Sequence, residues 1–127
     1  IQQEMGMALL LVTHDLAVVA ETASRVIVMY SGEIVEEAPV EALFRNPWHP
    51  YTEGLMKAMP KLTGGKGEKL YQIPGTVPHP SERAKGCRFE PRCEKSVAQC
   101  HLAHPELIRK GDRAVRCLLY GDGGGLE

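Results

Sequence analysis

Four cysteines lie close together in the second half of the sequence, and they limit what this half can fold into. They are spaced C-x5-C-x6-C-x16-C, at Cys87, Cys93, Cys100 and Cys117. The residues around them are rich in Pro and Gly and lack the long apolar runs that build a hydrophobic core. A small segment of this kind needs another source of order, and four thiolates around a metal centre would provide it.

Three explanations compete for these cysteines: disulfides, a metal or cluster site, and buried apolar thiols. We recognise no secretory signal and therefore expect reduced thiols. The spacing is neither the paired CxxC pattern of zinc ribbons nor the tight run of bacterial ferredoxins. It indicates a four-thiolate site whose metal stays undetermined. His101 and His104 flank Cys100 and offer an alternative in which a histidine replaces one cysteine as a zinc ligand.

The first 60 residues show a different pattern, which is typical of an α/β protein. Residues 8–12 form a continuous apolar run, as in a strand buried on both faces. Asp15 follows as the predicted N-cap of a helix. Residues 25–30 and 33–37 read as two strands, and the Ser31-Gly32 pair between them predicts a hairpin.

Prolines mark the helices that come next. Pro39 suits the first turn of a helix, which the pair Asn46-Pro47 ends. Thr52 is the predicted cap of another helix, which stops at Pro60. We expect His49 to have a packing and capping role rather than to be a ligand.

His14 is the candidate catalytic residue of this half. It lies just past the carboxyl end of the apolar run, and parallel α/β sheets bind ligands at that end of their strands. An imidazole there can donate to a phosphate oxygen or to an attacking water. The alternative is a surface histidine at a helix N-terminus.

A boundary is expected at residues 60–69, where glycines and lysines are typical of a flexible connector. The three prolines in residues 71–80 predict an extended or turn-like segment. Short helices are expected near residues 97–102 and over residues 105–110. The glycines among residues 121–125 predict a frayed end.

Charge and hydropathy exclude some partners. The sequence has 15 basic and 16 acidic residues, which removes any bulk argument for nucleic acid as a partner. No apolar run approaches the ~20 residues of a membrane helix. With 43% apolar and 24% charged residues, the chain has the composition of a folded soluble protein.

Several segments, in this order, resemble the ABC-transporter ATPases. The run LLVTHDL at residues 10–16 resembles their switch-histidine region, and residues 23–37 resemble the strand, turn and strand that follow it. Residues 39–52, with PVEALF, NP and HPYT, resemble the di- and oligopeptide importer branch. GCRF, PRC and VRC, within residues 86–117, resemble the C-terminal oligopeptide-transporter module of that branch.

This resemblance implies an α/β fold in two parts. Residues 1–60 would be the C-terminal remnant of a P-loop ABC ATPase core, and residues 61–127 a small irregular Cys-rich module. His14 would be the switch histidine that contacts the γ-phosphate of ATP. The sequence has no GxxxxGK[ST] loop, no family signature and no Asp-Glu pair for Mg²⁺, so we expect these to precede Ile1. ATP and Mg²⁺ would bind the full-length subunit only, and the isolated chain should not hydrolyse ATP.

The resemblance also implies a cofactor and partners. The four cysteines would hold a structural [4Fe–4S] cluster, with Zn²⁺ as the second choice. The partners would be a second ATP-binding subunit, two membrane-spanning permease subunits and, indirectly, an extracytoplasmic peptide-binding protein. The subunit would lie at the cytoplasmic face of the cell membrane. The alternatives are a stand-alone metal- or cluster-binding regulatory module, or an importer subunit for nickel or another small solute.

Overall fold

A four-stranded antiparallel sheet lies at the centre of the computed structural model, which describes residues 1–61, 67 and 69–121. In chain order the strands are β1 (Arg25–Tyr30), β2 (Glu33–Pro39), β3 (Ile108–Lys110) and β4 (Arg113–Val115). Their order in the sheet is β1-β2-β4-β3. The chain is therefore an α/β protein, as expected, but its described sheet is antiparallel.

The first hairpin, β1 and β2, confirms the prediction from the Ser31-Gly32 pair. These two residues have φ values of 49° and 82°, and a two-residue hairpin turn needs such positive angles. Tyr30 pairs directly with Glu33 across the turn. Residues of β1 alternate in burial, with Val28 buried and its neighbours exposed, as a sheet with one covered face requires.

The second hairpin shows that the helix predicted over residues 105–110 is wrong. Ile108–Lys110 is a strand, and Gly111 and Asp112 form a two-residue loop after which β4 returns. Gly111 has a φ of 61°, which glycine adopts without strain. A Gly-Asp pair between short strands is a hairpin signal that outweighs the weak helical pattern.

Strands from both sides of the expected boundary at residues 60–69 share this sheet. Glu36 and Glu37 of β2 pair with Val115 and Ala114 of β4. The segments before and after the expected boundary therefore contribute strands to one sheet. The boundary itself stays a prediction.

The described residues also contain five helices. They are α1 (Gln2–Met5), α2 (Leu16–Thr22), α3 (Val40–Arg45), α4 (Pro50–Lys57) and α5 (Ala98–Leu102), and short 3₁₀ turns lie at Pro80–Glu82, Glu90–Arg92 and Leu118–Tyr120. Asp15 caps α2 by accepting from the backbone N–H groups of Ala17 and Val18, as predicted. Residues 71–79 form neither helix nor strand, which agrees with the extended segment expected there.

The strand predicted at residues 8–12 is wrong. These residues have no strand structure, and Leu10 and Val12 are 85% and 90% exposed. A strand is held by backbone hydrogen bonds to a neighbouring strand. In the described part of the chain no strand lies beside this run, so its apolar pattern alone does not produce one.

The hydrophobic core draws on both parts of the chain. Val28, Tyr30, Val35 and Leu43 are buried together with Phe89, which comes from the cysteine-rich region. Most of the predicted connector (residues 62–66 and 68) and of the predicted frayed end (residues 122–127) lies outside the described residues. Among the helices that are described, none has the length and apolar character that a membrane crossing would require.

Candidate functional site

The four cysteines converge on one pocket. Cys87, Cys93, Cys100 and Cys117 all line it, and His49 from the first half of the chain lies beside them. Cys100 and Cys117 are buried, the other two are half-buried, and all four are free thiols. The structure thus brings together four cysteines that the sequence separates by up to 30 positions.

Three of these cysteines are placed by local backbone contacts. The N–H of Cys87 donates to the carbonyl of Cys100 at 2.8 Å, which joins the two chain segments directly. The 3₁₀ turn at Glu90–Arg92 then brings Cys93 back toward Cys87. Gly86 makes the close approach possible, because a Cβ there would lie 2.2 Å from the carbonyl oxygen of Cys100.

Cys117 reaches the pocket from a different direction. It lies two residues beyond the end of β4, and the intervening residue, Arg116, donates its N–H to the carbonyl of Val35 at 2.8 Å. The fourth thiol is therefore placed by the sheet and not by the loop that holds the other three.

Burial and hydrogen bonding act in opposite directions on the thiols. Burial raises the pKa of Cys87 and Cys93, and it raises the pKa of Cys117 to about 11. Backbone groups of Phe89 and Glu90 at Cys87, of Lys95 at Cys93 and of Leu119 at Cys117 lower the pKa of these thiols. Burial is the larger effect, so the pKa of each of these three thiols is raised overall.

The donor set is of the type that binds soft metals, but the described residues show no metal site. Four thiols are ligands for iron–sulfur clusters or zinc. Within the described residues, however, no group of three or more His, Cys, Asp or Glu side chains is arranged to hold a metal ion. Zinc requires all its sulfurs within about 2.3 Å of one point, whereas a cluster spreads its thiolates over several irons.

The two histidines next to Cys100 are engaged elsewhere. His101 lies 3.7 Å from the carboxylate of Glu90, and His104 contacts Glu33 at 2.8 Å. Neither histidine lines the cysteine pocket, so the structure gives no support to the alternative in which one of them replaces a cysteine.

His14 lies apart from the cysteine pocket. Its side chain is exposed at the start of α2, directly before the capping residue Asp15. His14 is therefore solvent-exposed and does not line the pocket that the four candidate cysteines form.

His49 has the packing and capping role that we expected. It is only 2% exposed, and its Nδ1 accepts from the N–H of Tyr51 at 3.0 Å, which caps α4. Burial lowers the pKa of His49 to about 4, so its ring is neutral near pH 7. Thr52 is not the cap: it lies inside α4, fully buried. What the sequence did not reveal is that His49 also lines the cysteine pocket.

The sequence also showed no sign of a buried ion pair between Glu36 and Arg113. Glu36 has no exposed surface, and it contacts Arg113 at 2.9 Å while accepting from the N–H of His49 at 2.9 Å. In the sequence Glu36 looks like an ordinary polar residue of a strand, since its partner lies 77 positions away.

Known proteins resemble the chain over most of its length. Residues 35–100 match the family model described as oligopeptide/dipeptide transporter, C-terminal region. The oligopeptide transport ATP-binding protein AppD of Bacillus subtilis is 49% identical over 123 residues, which are 96% of this chain and 37% of that protein. A Brucella ovis protein named as a peptide import ATP-binding protein is 50% identical over 125 residues, 91% of this chain and 37% of its own length.

A third relative, from Brucella abortus and named in the same way, is 44% identical over 117 residues, 92% of this chain and 35% of its own length. The chain thus spans little more than a third of each of these relatives. The resemblance inferred from the sequence is confirmed, and the chain belongs to the oligopeptide/dipeptide transporter family that this C-terminal region defines.

Proposed function

We propose that this chain serves as the C-terminal part of the ATP-binding subunit of an importer for di- or oligopeptides. The observation that carries the proposal is the 49% identity over 96% of the chain to an oligopeptide transport ATP-binding protein. In the full subunit, ATP and Mg²⁺ would be held by a phosphate loop, and these 127 residues contain no GxxxxGK[ST] motif. Residues 1–60 would complete the ATPase core and residues 61–127 would form the accessory segment.

The subunit would work with a second ATP-binding subunit and two membrane-spanning permease subunits at the cytoplasmic face of the membrane. An extracytoplasmic peptide-binding protein would deliver the solute. To test this, the complete importer is reconstituted in vesicles, and ATP turnover is measured with peptides and with nickel. Turnover stimulated by peptides is expected. Turnover stimulated only by nickel would contradict the peptide assignment.

His14 would act as the switch histidine of this subunit. Its side chain is exposed directly before the capped helix α2, where it is free to contact the γ-phosphate of a nucleotide. In phosphoryl transfer such a group positions the attacking water and stabilises charge. In the complete subunit, His14→Ala should nearly abolish ATP turnover and leave ATP binding largely intact. His79→Ala, in an exposed loop, is the matched control and should turn over ATP normally. Normal turnover by His14→Ala would refute the role.

The four cysteines would hold a [4Fe–4S] cluster in a structural role. Their convergence on one pocket supports this proposal. Cys87, Cys93, Cys100 and Cys117 would be the ligands. When bound, the cluster would cross-link the loop that carries the first three to the end of β4.

Metal analysis of anaerobically purified protein tests the cluster. A brown protein with about four irons per chain is expected, and each Cys→Ser variant should lose most of this iron. Ser81→Ala, in an exposed turn, is the control and should retain it. A colourless protein with one zinc per chain would decide for Zn²⁺, and a protein without bound metal would refute both.

A further inference from the structure

We propose that Cys87 and Cys100 form a disulfide when a peroxide oxidises the metal-free protein, and that this bond and a bound cluster exclude each other. The exclusion rests on the proposed cluster, whereas the disulfide itself does not. The described residues contain no group of three or more side chains arranged to hold a metal ion. A disulfide requires only two thiols that face each other, on Cα atoms about 4.4–6.8 Å apart.

One backbone hydrogen bond places Cys87 and Cys100 within this range. The N–H of Cys87 donates to the carbonyl of Cys100, with 2.8 Å between nitrogen and oxygen. Given standard backbone bond lengths, the two Cα atoms are then at most about 6.7 Å apart. Gly86 permits this approach, because a Cβ there would lie 2.2 Å from the same carbonyl oxygen. Both cysteines also line one pocket, so their thiols share the same space.

Cys93 and Cys117 have no comparable link to another cysteine. The N–H of Cys93 donates to the carbonyl of Glu90 at 3.1 Å, and the residue before Cys117 is bonded to Val35. In the described part of the chain, no backbone hydrogen bond joins either of them to a second cysteine. Of the possible pairs, the structure therefore favours Cys87 with Cys100.

Exposure sets the order of the two chemical steps. Cys87 is half-buried and Cys100 is buried, so the peroxide meets Cys87 first. The sulfur of Cys87 takes one peroxide oxygen as the O–O bond breaks, and the other oxygen leaves as water, which gives a sulfenic acid. The sulfur of Cys100 then attacks that of Cys87, the S–S bond forms, and the S–O bond breaks to release a second water. The two thiols thus lose two protons and two electrons, and one peroxide becomes two waters.

The disulfide removes two of the four thiolates that a [4Fe–4S] cluster needs. A cluster, in turn, would hold both sulfurs and keep them from pairing. The state of this one pair would therefore decide whether the cysteine pocket can be loaded, and a dithiol reductant would restore it.

Peptide mapping tests the disulfide without any substitution. The reduced, metal-free protein is treated with one equivalent of hydrogen peroxide, alkylated, and digested with trypsin, which cleaves after Lys and Arg. The four cysteines then lie in separate peptides, residues 86–88, 93–95, 96–109 and 117–127. We expect the first and third of these peptides to be linked at least about tenfold more than any other two, because a positioned pair reacts far faster than an unconnected one.

The same treatment in urea is the control, and linkage should there spread over several pairs. A different main pair in the folded protein, covalent dimers, or oxidation of Cys87 without linkage would overturn the proposal. In the metal-free Cys93→Ser variant the linkage should form as in the wild type. In Cys100→Ser it should be lost, and Cys87 should accumulate as a sulfenic acid that dimedone traps. Loss of the linkage in Cys93→Ser would assign the reaction to another pair.

Protection by bound iron tests the exclusion. Protein purified anaerobically with its iron is compared with metal-free protein after treatment with diamide, which accepts two protons and two electrons from a pair of thiols. The metal-free protein should give the linked peptides and the iron-loaded protein almost none. Equal linkage in both would overturn the exclusion. If the wild type holds no iron, the cluster proposal fails, and the peptide map of the metal-free protein still decides the disulfide.

Discussion

Glu36 of β2 and Arg113 of β4 form a buried ion pair, with 2.9 Å between Arg113 Nη2 and Glu36 Oε1. The carboxylate also accepts from the backbone N–H groups of Trp48 and His49 at 2.8 and 2.9 Å. The guanidinium lies 3.9 Å from the centre of the Trp48 ring and donates to the carbonyl of Asn46. One carboxylate thus joins the second hairpin to the loop that opens α4.

Removing Arg113 should destabilise the protein strongly. Arg113→Met leaves the buried carboxylate of Glu36 without its counter-ion, and such losses cost about 3–5 kcal/mol. The control is Arg109→Ala, which breaks the pair with Glu37, where the arginine side chain is 63% exposed. An exposed pair of this kind contributes about 0–1 kcal/mol. Urea unfolding measures both free energies, and equal losses would contradict the importance of the buried pair.

The sequence predicted those parts of the fold that depend on neighbouring residues. The β-branched and aromatic residues of Arg25–Tyr30 and the Ser31-Gly32 pair are local signals, so the first hairpin could be predicted. Pairing between distant segments has no local signal. The β2–β4 pairing could therefore not be predicted, and residues 8–12 read as a strand although no described strand lies beside them.

The candidate site was predictable to a similar extent. Cysteine spacing indicated the four thiols, because free cysteines seldom cluster by chance. The parts that position them were not visible: Gly86 looks like any loop glycine, and its crowding against Cys100 appears only in the fold. Threonine often caps helices, so Thr52 was a reasonable prediction. The cap is instead His49, because α4 already begins at Pro50.

Gly86→Ala should damage the cysteine pocket. The added Cβ would lie 2.2 Å from the carbonyl oxygen of Cys100 and 2.6 Å from that of His101, and backbone atoms cannot move aside cheaply. We expect a loss of about 1–3 kcal/mol in the free energy of unfolding. Faster alkylation of Cys87 should accompany it. The control is Gly121→Ala, where the nearest atom would be 3.4 Å away and the φ is −70°. Similar behaviour of the two variants would contradict the steric argument.

Glu37 should make stability depend on pH in the acidic range. The Arg25 guanidinium, together with Arg109, holds the pKa of Glu37 below its usual value of 4.5. A carboxyl whose folded-state pKa is lowered stabilises the protein above its unfolded-state pKa, and this contribution is lost as the pH falls through the folded-state value. The difference in unfolding free energy between the wild type and Glu37→Gln should therefore be largest near neutral pH and shrink below pH 4.5.

Urea unfolding of both proteins over this pH range checks the prediction. The exposed Glu41→Gln variant is the control for the loss of a surface carboxyl. If the difference in unfolding free energy between the wild type and Glu37→Gln grew as the pH fell, the prediction would be contradicted.

Phe89 should hold the first two cysteines in place. Its ring is 3% exposed and lies 5.1 Å from the ring of Tyr30, so it anchors the loop between Cys87 and Cys93 in the hydrophobic core. Phe89→Leu keeps an apolar side chain but loses the aromatic contacts, at a cost of about 1–2 kcal/mol. In the metal-free protein, alkylation should then accelerate at Cys87 and Cys93 more than at Cys117, because Cys117 is held through β4. Val77→Ala, at a side chain that is 58% exposed, should change neither stability nor labelling appreciably. If Phe89→Leu instead exposed Cys117 first, the pocket would not be divided into a loop-held and a sheet-held part.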